Sequence, residues 1–260
     1  MDSDDGAEFL IITAPEFLAA ANVLRTHKIS LGMTTWVKTT GDTGITVESI
    51  KDYIQHAYDA WATVPSYILL LGDVEYIPTW YRTMDPDSFR GLMGTDLYYS
   101  CVDGDDYQPD IFLGRISVNT LAEAESVVQK IIDYENNPPG LATYYTNAVV
   151  VATFTDGYYY DGYEDLRDVK TSEEIRDFLL TRGRSVERIY GSDSWHSLTH
   201  FNNDYYGNGE PLPPELLVSN GFSWEGDAAD IVLSVNSGIF LLVHRGDSSS
   251  EGWNYPDFSA

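Results

Sequence analysis

Residues 67–73, YILLLGD, form a short apolar run that ends in Gly72 and Asp73. A strand buried on both faces of a parallel sheet has this continuous apolar character. The loops that follow such strands carry the functional residues of doubly wound sheets. We therefore predict a central strand over Tyr67–Asp73, with a functional loop after it.

Strand and helix patterns alternate on both sides of this run. Phe9–Ala14 (FLIITA) and residues 147–154 (NAVVVATF) are typical of buried strands, and Thr120 with Glu123 forms the capping box of a helix. The other predicted elements are helices at Phe17–Lys28, 46–62, 171–183 and 227–238, strands at Thr34–Thr40, Ser185–Tyr190 and Ile239–Val243, and two short strands within Thr95–Ser117. This alternation predicts an α/β fold of three layers, α/β/α, with mainly parallel sheets.

A Pro-Pro-Gly break at residues 138–140 is the best boundary between two halves of the chain. We predict an N-terminal subdomain over 1–140 and a C-terminal subdomain of catalytic type, incomplete at its C-terminus, over 141–260. Both halves show the same alternation of strands and helices, without a strict internal repeat.

The composition limits the class of protein. The 260 residues carry 15 Lys and Arg against 41 Asp and Glu, a formal net charge of −26. Such a surface repels phosphate backbones, so we predict no nucleic-acid partner. An acidic excess suits a basic partner, a cationic substrate or bound Ca²⁺. No apolar run approaches the ~18 residues of a membrane span, and the first residues lack the pattern of a signal peptide.

Cysteine and histidine are the candidate nucleophile and base. Cys101 is the single cysteine, so the chain forms no internal disulfide. Its aromatic and acidic neighbours would raise the pKa of a thiol, and we interpret Cys101 as a half-buried structural residue on a strand. His27 and His56 fall on predicted helices, and His196 and His200 fall in an irregular segment.

His244 differs because it lies in residues 238–253, GIFLLVHRGDSSSEGW, where an apolar run ends in reactive side chains. Two roles are open for it, a general base at a strand end or a structural residue, and we favour the structural role. Asp247 follows in a Gly-Asp-Ser turn, where an Asp side chain typically accepts a hydrogen bond from a following N–H.

Two acidic clusters are candidate metal sites. The first crowds five acids into thirteen residues with glycines that permit tight turns: Asp156, Asp161, Glu164, Asp165 and Asp168. Oxygen ligands at this density suit Ca²⁺, and a solvated acidic loop is the alternative. The second cluster lies within residues 103–110 and begins with the hairpin signature Asp103-Gly104.

With these segments in view, the chain resembles the catalytic domain of the gingipain-type cysteine peptidases, peptidase family C25. Five segments carry the resemblance: residues 65–78 (PSYILLLGDVEYIP), 95–117 (TDLYYSCVDGDDYQPDIFLGRIS), 130–138 (KIIDYENNP), 155–179 (TDGYYYDGYEDLRDVKTSEEIRDFL) and the strand followed by a Trp in 238–253. It implies a caspase-like fold of two subdomains, cleavage of peptide or protein substrates by a Cys–His pair, and structural Ca²⁺. It also implies a secreted or cell-surface protein that has further domains in its full-length form.

The resemblance also places the family's catalytic residues on this sequence. When the family's Trp is aligned with Trp253, Asp247 stands at the position of the catalytic His, and His244 lies three residues earlier. The acid that orients the His in the family corresponds to Thr155 or Asp156. The nucleophilic Cys of the family comes at the end of the next strand, beyond this sequence.

We therefore expect a gingipain-type cysteine endopeptidase domain that is inactive as these 260 residues, because it lacks the nucleophile and carries Asp247 at the position of the His. The alternative is a non-catalytic binding or scaffold domain that derives from a peptidase and has an acidic, Ca²⁺-binding surface.

Overall fold

The computed structural model describes residues 5–83, 92–192, 198–203, 209–249, 251–254 and 256–259. By its internal contacts the chain divides into two compact units, Met1–Pro138 and Pro139–Ala260. His196 lies outside the described residues. Across the described ranges, no helix combines the length and the apolar character needed to cross a membrane.

The first unit alternates strands and helices. Its elements are β1 (Phe9–Thr13), α1 (Leu18–Ser30), β2 (Thr35–Thr39), α2 (Thr40–Thr43), α3 (Val47–Ala60), β3 (Tyr67–Leu71), β4 (Trp80–Thr83), β5 (Leu92–Thr95), α4 (Leu97–Ser100), β6 (Phe112–Ile116) and α5 (Leu121–Asn136). Strands β2, β1, β3 and β6 pair side by side in that order, and each pair is parallel. Strands β4 and β5 form a separate antiparallel hairpin.

Two apolar cores cover opposite faces of this sheet. Leu10 of β1 packs in one core with Ile54 of α3, and both side chains are fully buried. Its neighbour Ile11 packs in the other core with Leu24 of α1 and Val128 of α5. Successive side chains of a strand point to opposite faces, so a continuous apolar run needs helices on both sides. The unit therefore has three layers, helix, sheet and helix.

The second unit repeats this plan on a smaller scale. Its elements are β7 (Asn147–Phe154), α6 (Asp168–Thr181), β8 (Ser185–Ser192), α7 (Ala228–Gly238), β9 (Leu241–Arg245), β10 (Ser248–Ser249), β11 (Gly252–Trp253) and β12 (Phe258–Ser259). Strand β7 pairs in parallel with β8 on one side and with β9 on the other. The three shortest strands, β10 to β12, form a small antiparallel sheet.

Strand β7 is the centre of this unit, and seven of its eight residues are buried. Val150 packs in a core with Val169 of α6, whereas Val149 and Val151 pack on the other face with Ile231 of α7. Burying one such side chain contributes about 1.5–3 kcal/mol. The carboxyl end of β7 is thereby fixed between two helices, and the loop that follows it starts from a rigid base.

Three sequence predictions differ from the structure. Residues 97–100 form α4 and not a strand, because the ring of Tyr99 is buried and its hydroxyl donates to the Pro78 carbonyl over 2.6 Å. Cys101 is accordingly the C-cap of α4. His244 lies inside β9 and pairs in register with Val151, so the predicted strand at 239–243 was placed two residues too early.

Candidate functional site

A pocket of roughly 270 Å³ opens at the carboxyl ends of β7 and β9. It is lined by Thr153, Thr155, Gly157, Tyr158, Leu166, Asp168, Gly246, Asp247 and Asn254. Open α/β sheets bind ligands at the carboxyl ends of their strands, where the connecting loops diverge. This volume is at the small end of ligand pockets and suits a single long side chain.

The loop between β7 and α6, residues 155–167, forms one wall of the pocket, and its own acids hold its shape. Asp156 is fully buried, and its two carboxylate oxygens accept hydrogen bonds from the N–H groups of Asp161 and Gly162, each over 3.1 Å. Asp165 accepts from the N–H of Tyr158 over 2.9 Å. Buried or crowded amides need such acceptors, so these acids have a structural use in the loop.

Glu164 ties the same loop to the start of α6. Arg167, the N-cap residue of α6, makes no side-chain capping bond, and the Glu164 carboxyl accepts from the N–H of Val169 over 3.0 Å in its place. The other oxygen, Oε2, is buried and has no hydrogen-bond partner among the residues that the structure describes. Burial, reinforced by the nearby Asp168 carboxylate, raises the pKa of Glu164 to about 8. This side chain therefore holds a proton at neutral pH.

Asp168 is the first residue of α6 and faces the pocket from the helix side. Burial raises its pKa, the Arg245 guanidinium opposes that rise, and Asp247 adds to it. The Oδ1 atom of Asp168 lies 3.8 Å from Nη2 of Arg245. Two carboxylates, Asp168 and Asp247, thus line one small pocket and give it a negative potential.

His244 does not line the pocket. Its imidazole is stacked on the indole ring of Trp253, with ring centroids 4.0 Å apart and planes only 1° from parallel. Trp253 also contacts the ring of Phe258, which anchors the small sheet of β10 to β12 beside β9. This packing agrees with a structural role for His244, and its role in catalysis stays a prediction.

The five acids predicted to bind Ca²⁺ do not converge on a common point. Within the described ranges, no group of three or more His, Cys, Asp or Glu side chains is placed to hold a metal ion. Ca²⁺ takes six to eight oxygen ligands, whereas Asp156, Asp161, Glu164 and Asp165 accept bonds from backbone amides. These acids thus stabilise the conformation of the loop, and calcium binding by them stays a prediction.

Cys101 belongs to the first unit, outside this pocket. Burial raises the pKa of its thiol, although Lys51 opposes the rise, and Sγ lies 3.4 Å from the Leu97 carbonyl oxygen. A raised pKa keeps the sulfur as an unreactive thiol near neutral pH. The second acidic cluster surrounds this residue, and there the Asp110 carboxylate accepts from the N–H groups of Val102 and Asp103.

Sequence reasoning found the two carboxylates that line the pocket and missed most of its other residues. Thr153, Tyr158 and Asn254 were not singled out, and neither was Arg245, whose charge acts on Asp168. Their position at the ends of β7 and β9 was a usable signal, since such ends meet at one edge of the sheet.

Comparison with known proteins gives a consistent result. The sequence profile described as peptidase family C25 matches residues 2–259. Lys-gingipain of Porphyromonas gingivalis is 28% identical over 148 residues, which cover 55% of this chain and 8% of that protein. Gingipain R2 of the same organism is 22% identical over 185 residues, 70% of this chain and 24% of that protein.

A crystal structure of the Arg-specific cysteine proteinase gingipain R superposes with a TM-score of 0.69 and 19% identity. The match covers 100% of this chain and 51% of that one, so the chain spans about half of the solved relative. It confirms the predicted fold class, a caspase-like α/β/α architecture with mainly parallel sheets. With a profile that matches nearly every residue, the chain belongs to peptidase family C25.

Proposed function

We propose that this chain is a gingipain-type peptidase domain whose acidic pocket binds a basic side chain of a peptide and, within these 260 residues, does not cleave it. The pocket at the ends of β7 and β9 carries this proposal. Asp168 and Asp247 line it, and none of the nine described residues that line it is basic. A guanidinium or ammonium group gains charge-assisted contacts from carboxylates in such a partly shielded site.

The names of the relatives support the same chemistry. One solved relative is described as an Arg-specific cysteine proteinase, and curated relatives are named Lys-gingipain. Arginine and lysine share a long apolar stem with a cationic end, and the pocket pairs Leu166 and Tyr158 with its two acids. A basic side chain is therefore the ligand that suits both the apolar and the charged parts of the lining.

Binding without cleavage follows from the groups beside the pocket. Acyl transfer by a cysteine peptidase needs a thiolate, an imidazole within hydrogen-bond reach and N–H donors for the oxyanion. The aligned position of the imidazole holds Asp247, and a carboxylate is ordinarily too weak a base to activate a thiol near neutral pH. Cys101, the single cysteine of this sequence, lies in the first unit.

The second candidate is Cys–His endopeptidase activity of a complete protein, which family membership favours. In that protein, His244 or a residue outside these 260 would act as the base, and Asp156 would orient it. Secretion or display at the cell surface, further domains and structural Ca²⁺ belong to the same proposal, because the resemblance implies all of them.

The binding proposal is tested with Nα-acetyl-arginine amide and with its citrulline analogue, which has the same shape without the charge. We expect the arginine compound to bind and to shift the NMR signals of residues that line the pocket, and the citrulline compound to bind more weakly. Asp168→Asn should weaken the arginine complex, whereas Asp177→Asn, on the exposed side of α6, should not. Affinity should fall as acid protonates Asp168, whose pKa is raised by burial.

Equal affinities for the two compounds, or equal effects of Asp168→Asn and Asp177→Asn, would contradict a cation-binding pocket. Fluorogenic peptides with an arginine before the reporter test the second part of the proposal. We expect no thiol-dependent release of the reporter by the 260 residues. Release that is abolished by Cys101→Ala would show that this chain is itself a peptidase.

A further inference from the structure

A cation of the chain itself already lies beside the acidic pocket. Arg245 is the last residue of β9, and its Nη2 atom lies 3.8 Å from Oδ1 of Asp168. The Arg245 side chain is 48% exposed, whereas that of Asp168 is 13% exposed. The guanidinium therefore approaches an almost buried carboxylate from the solvent side.

This contact is an ion pair of loose geometry. Its N–O distance exceeds the length of a hydrogen bond, so charge attraction and not a directed bond joins the two groups. The Arg245 side of the pair is half-exposed, so water and salt screen the attraction, and holding the Arg side chain in place costs rotamer freedom. Arg245 can consequently leave Asp168 at small cost.

The charges around Asp168 determine how Arg245 affects the binding of a cationic ligand. Arg245 acts on Asp168 as a positive neighbour and Asp247 acts as a negative one, and the effect of Arg245 is the stronger of the two. A bound ammonium or guanidinium would have to approach Asp168 against the repulsion of Arg245. Because Arg245 is absent from the lining, it can move away without blocking the pocket.

We propose that Arg245 is an internal competitor for Asp168, which a basic ligand must displace, and that it thereby sets the affinity of the pocket. The inference rests on the proposed function, since it concerns the same pocket and the same class of ligand. The proposal predicts the direction in which the binding affinity changes when Arg245 is replaced. A residue that only supports the structure would weaken binding when replaced, whereas a competitor strengthens binding when its charge is removed.

The test compares the binding of Nα-acetyl-arginine amide to the unmodified chain, Arg245→Gln, Arg245→Lys and Arg182→Gln. Arg182 is the matched control, because it follows α6 near Phe178 and its replacement changes the net charge equally. We expect Arg245→Gln to bind about five- to tenfold more tightly at low salt, from the Coulomb energy of unit charges at this distance in a water-like dielectric. Added salt should shrink the gain.

Arg245→Lys and Arg182→Gln should bind as the unmodified chain does. Melting temperatures of all four proteins establish that each is folded at the temperature of the assay. Affinity of Arg245→Gln that equals or falls below that of the unmodified chain, while Asp168→Asn still weakens binding, overturns the competitor role alone. If no folded variant binds the arginine compound, the proposed function fails and this inference fails with it.

Discussion

Replacing Glu164 with Gln should remove one large contribution to the pH dependence of the stability of the second unit. The folded chain raises the pKa of this carboxyl from 4.5 to about 8, mainly through burial. The folded state thus retains a proton up to about pH 8 that the unfolded chain releases near pH 4.5. A group with a raised pKa stabilises the fold most at low pH and loses that contribution as pH rises.

The magnitude follows from these two pKa values. One pKa unit corresponds to about 1.4 kcal/mol, and integration of the two titrations gives a loss of about 3 kcal/mol between pH 4.5 and 7. Gln cannot titrate, although it keeps an oxygen that can accept from the Val169 N–H. The difference in unfolding free energy between the unmodified chain and Glu164→Gln should therefore change by about 3 kcal/mol across this range.

Urea unfolding at pH 4.5, 5.5, 6.5 and 7.5 measures this difference. Fluorine NMR of protein labelled with 5-fluorotryptophan follows the two units separately. Trp224 reports on the second unit, because its indole ring stacks on Phe154 in that core with centroids 4.2 Å apart, and Trp61 reports on a core of the first unit. Glu123→Gln in α5 is the control with the opposite sign, since the Asn119 N–H is the main group that lowers the pKa of Glu123. The stability that Glu123 contributes should stay nearly constant from pH 7.5 to 5.5 and begin to fall only at pH 4.5 and below. A difference between the unmodified chain and Glu164→Gln that stays constant with pH would refute the reasoning.

Three further predictions concern other parts of the chain. Asp247→His in the 260 residues should not produce hydrolysis of arginine peptides, because restoring one group of a catalytic set recovers little activity without the nucleophile. Thiol-dependent turnover by this variant would contradict that. Millimolar Ca²⁺ should raise the melting temperature by mass action on the folded state, and Mg²⁺ should raise it less because it demands tight octahedral geometry. Identical melting curves in Ca²⁺ and in chelator would contradict calcium binding. Thr120→Ala should destabilise the first unit by about 1 kcal/mol, because Thr120 and Glu123 form a reciprocal capping box at α5. An unchanged midpoint of urea unfolding would show that the cap does not contribute to the stability of this unit.

The sequence by itself determined the elements that depend on neighbouring residues. Strands β1, β3 and β7 could be predicted because a short continuous apolar run, in a sequence that alternates with capped helices, is typical of a strand buried on both faces. The capping box at Thr120 was visible because its two partners are three residues apart. The family resemblance could likewise be detected from the sequence, because it depends on the order of such segments along the chain.

The tertiary structure decided where the functional groups meet. The density of acids in residues 156–165 predicts metal ligands. The structure adds that each of these acids accepts from a nearby amide, which depends on how the loop folds between β7 and α6. The position of His244 inside β9 depends on pairing with β7, which is about ninety residues distant in the sequence. Asp168 and Arg245 are seventy-seven positions apart in the sequence. They meet because β7, whose following loop leads to Asp168 at the start of α6, pairs in parallel with β9, which ends at Arg245. A contact between residues that far apart depends on strand pairing and burial, and a local pattern of residues does not encode it.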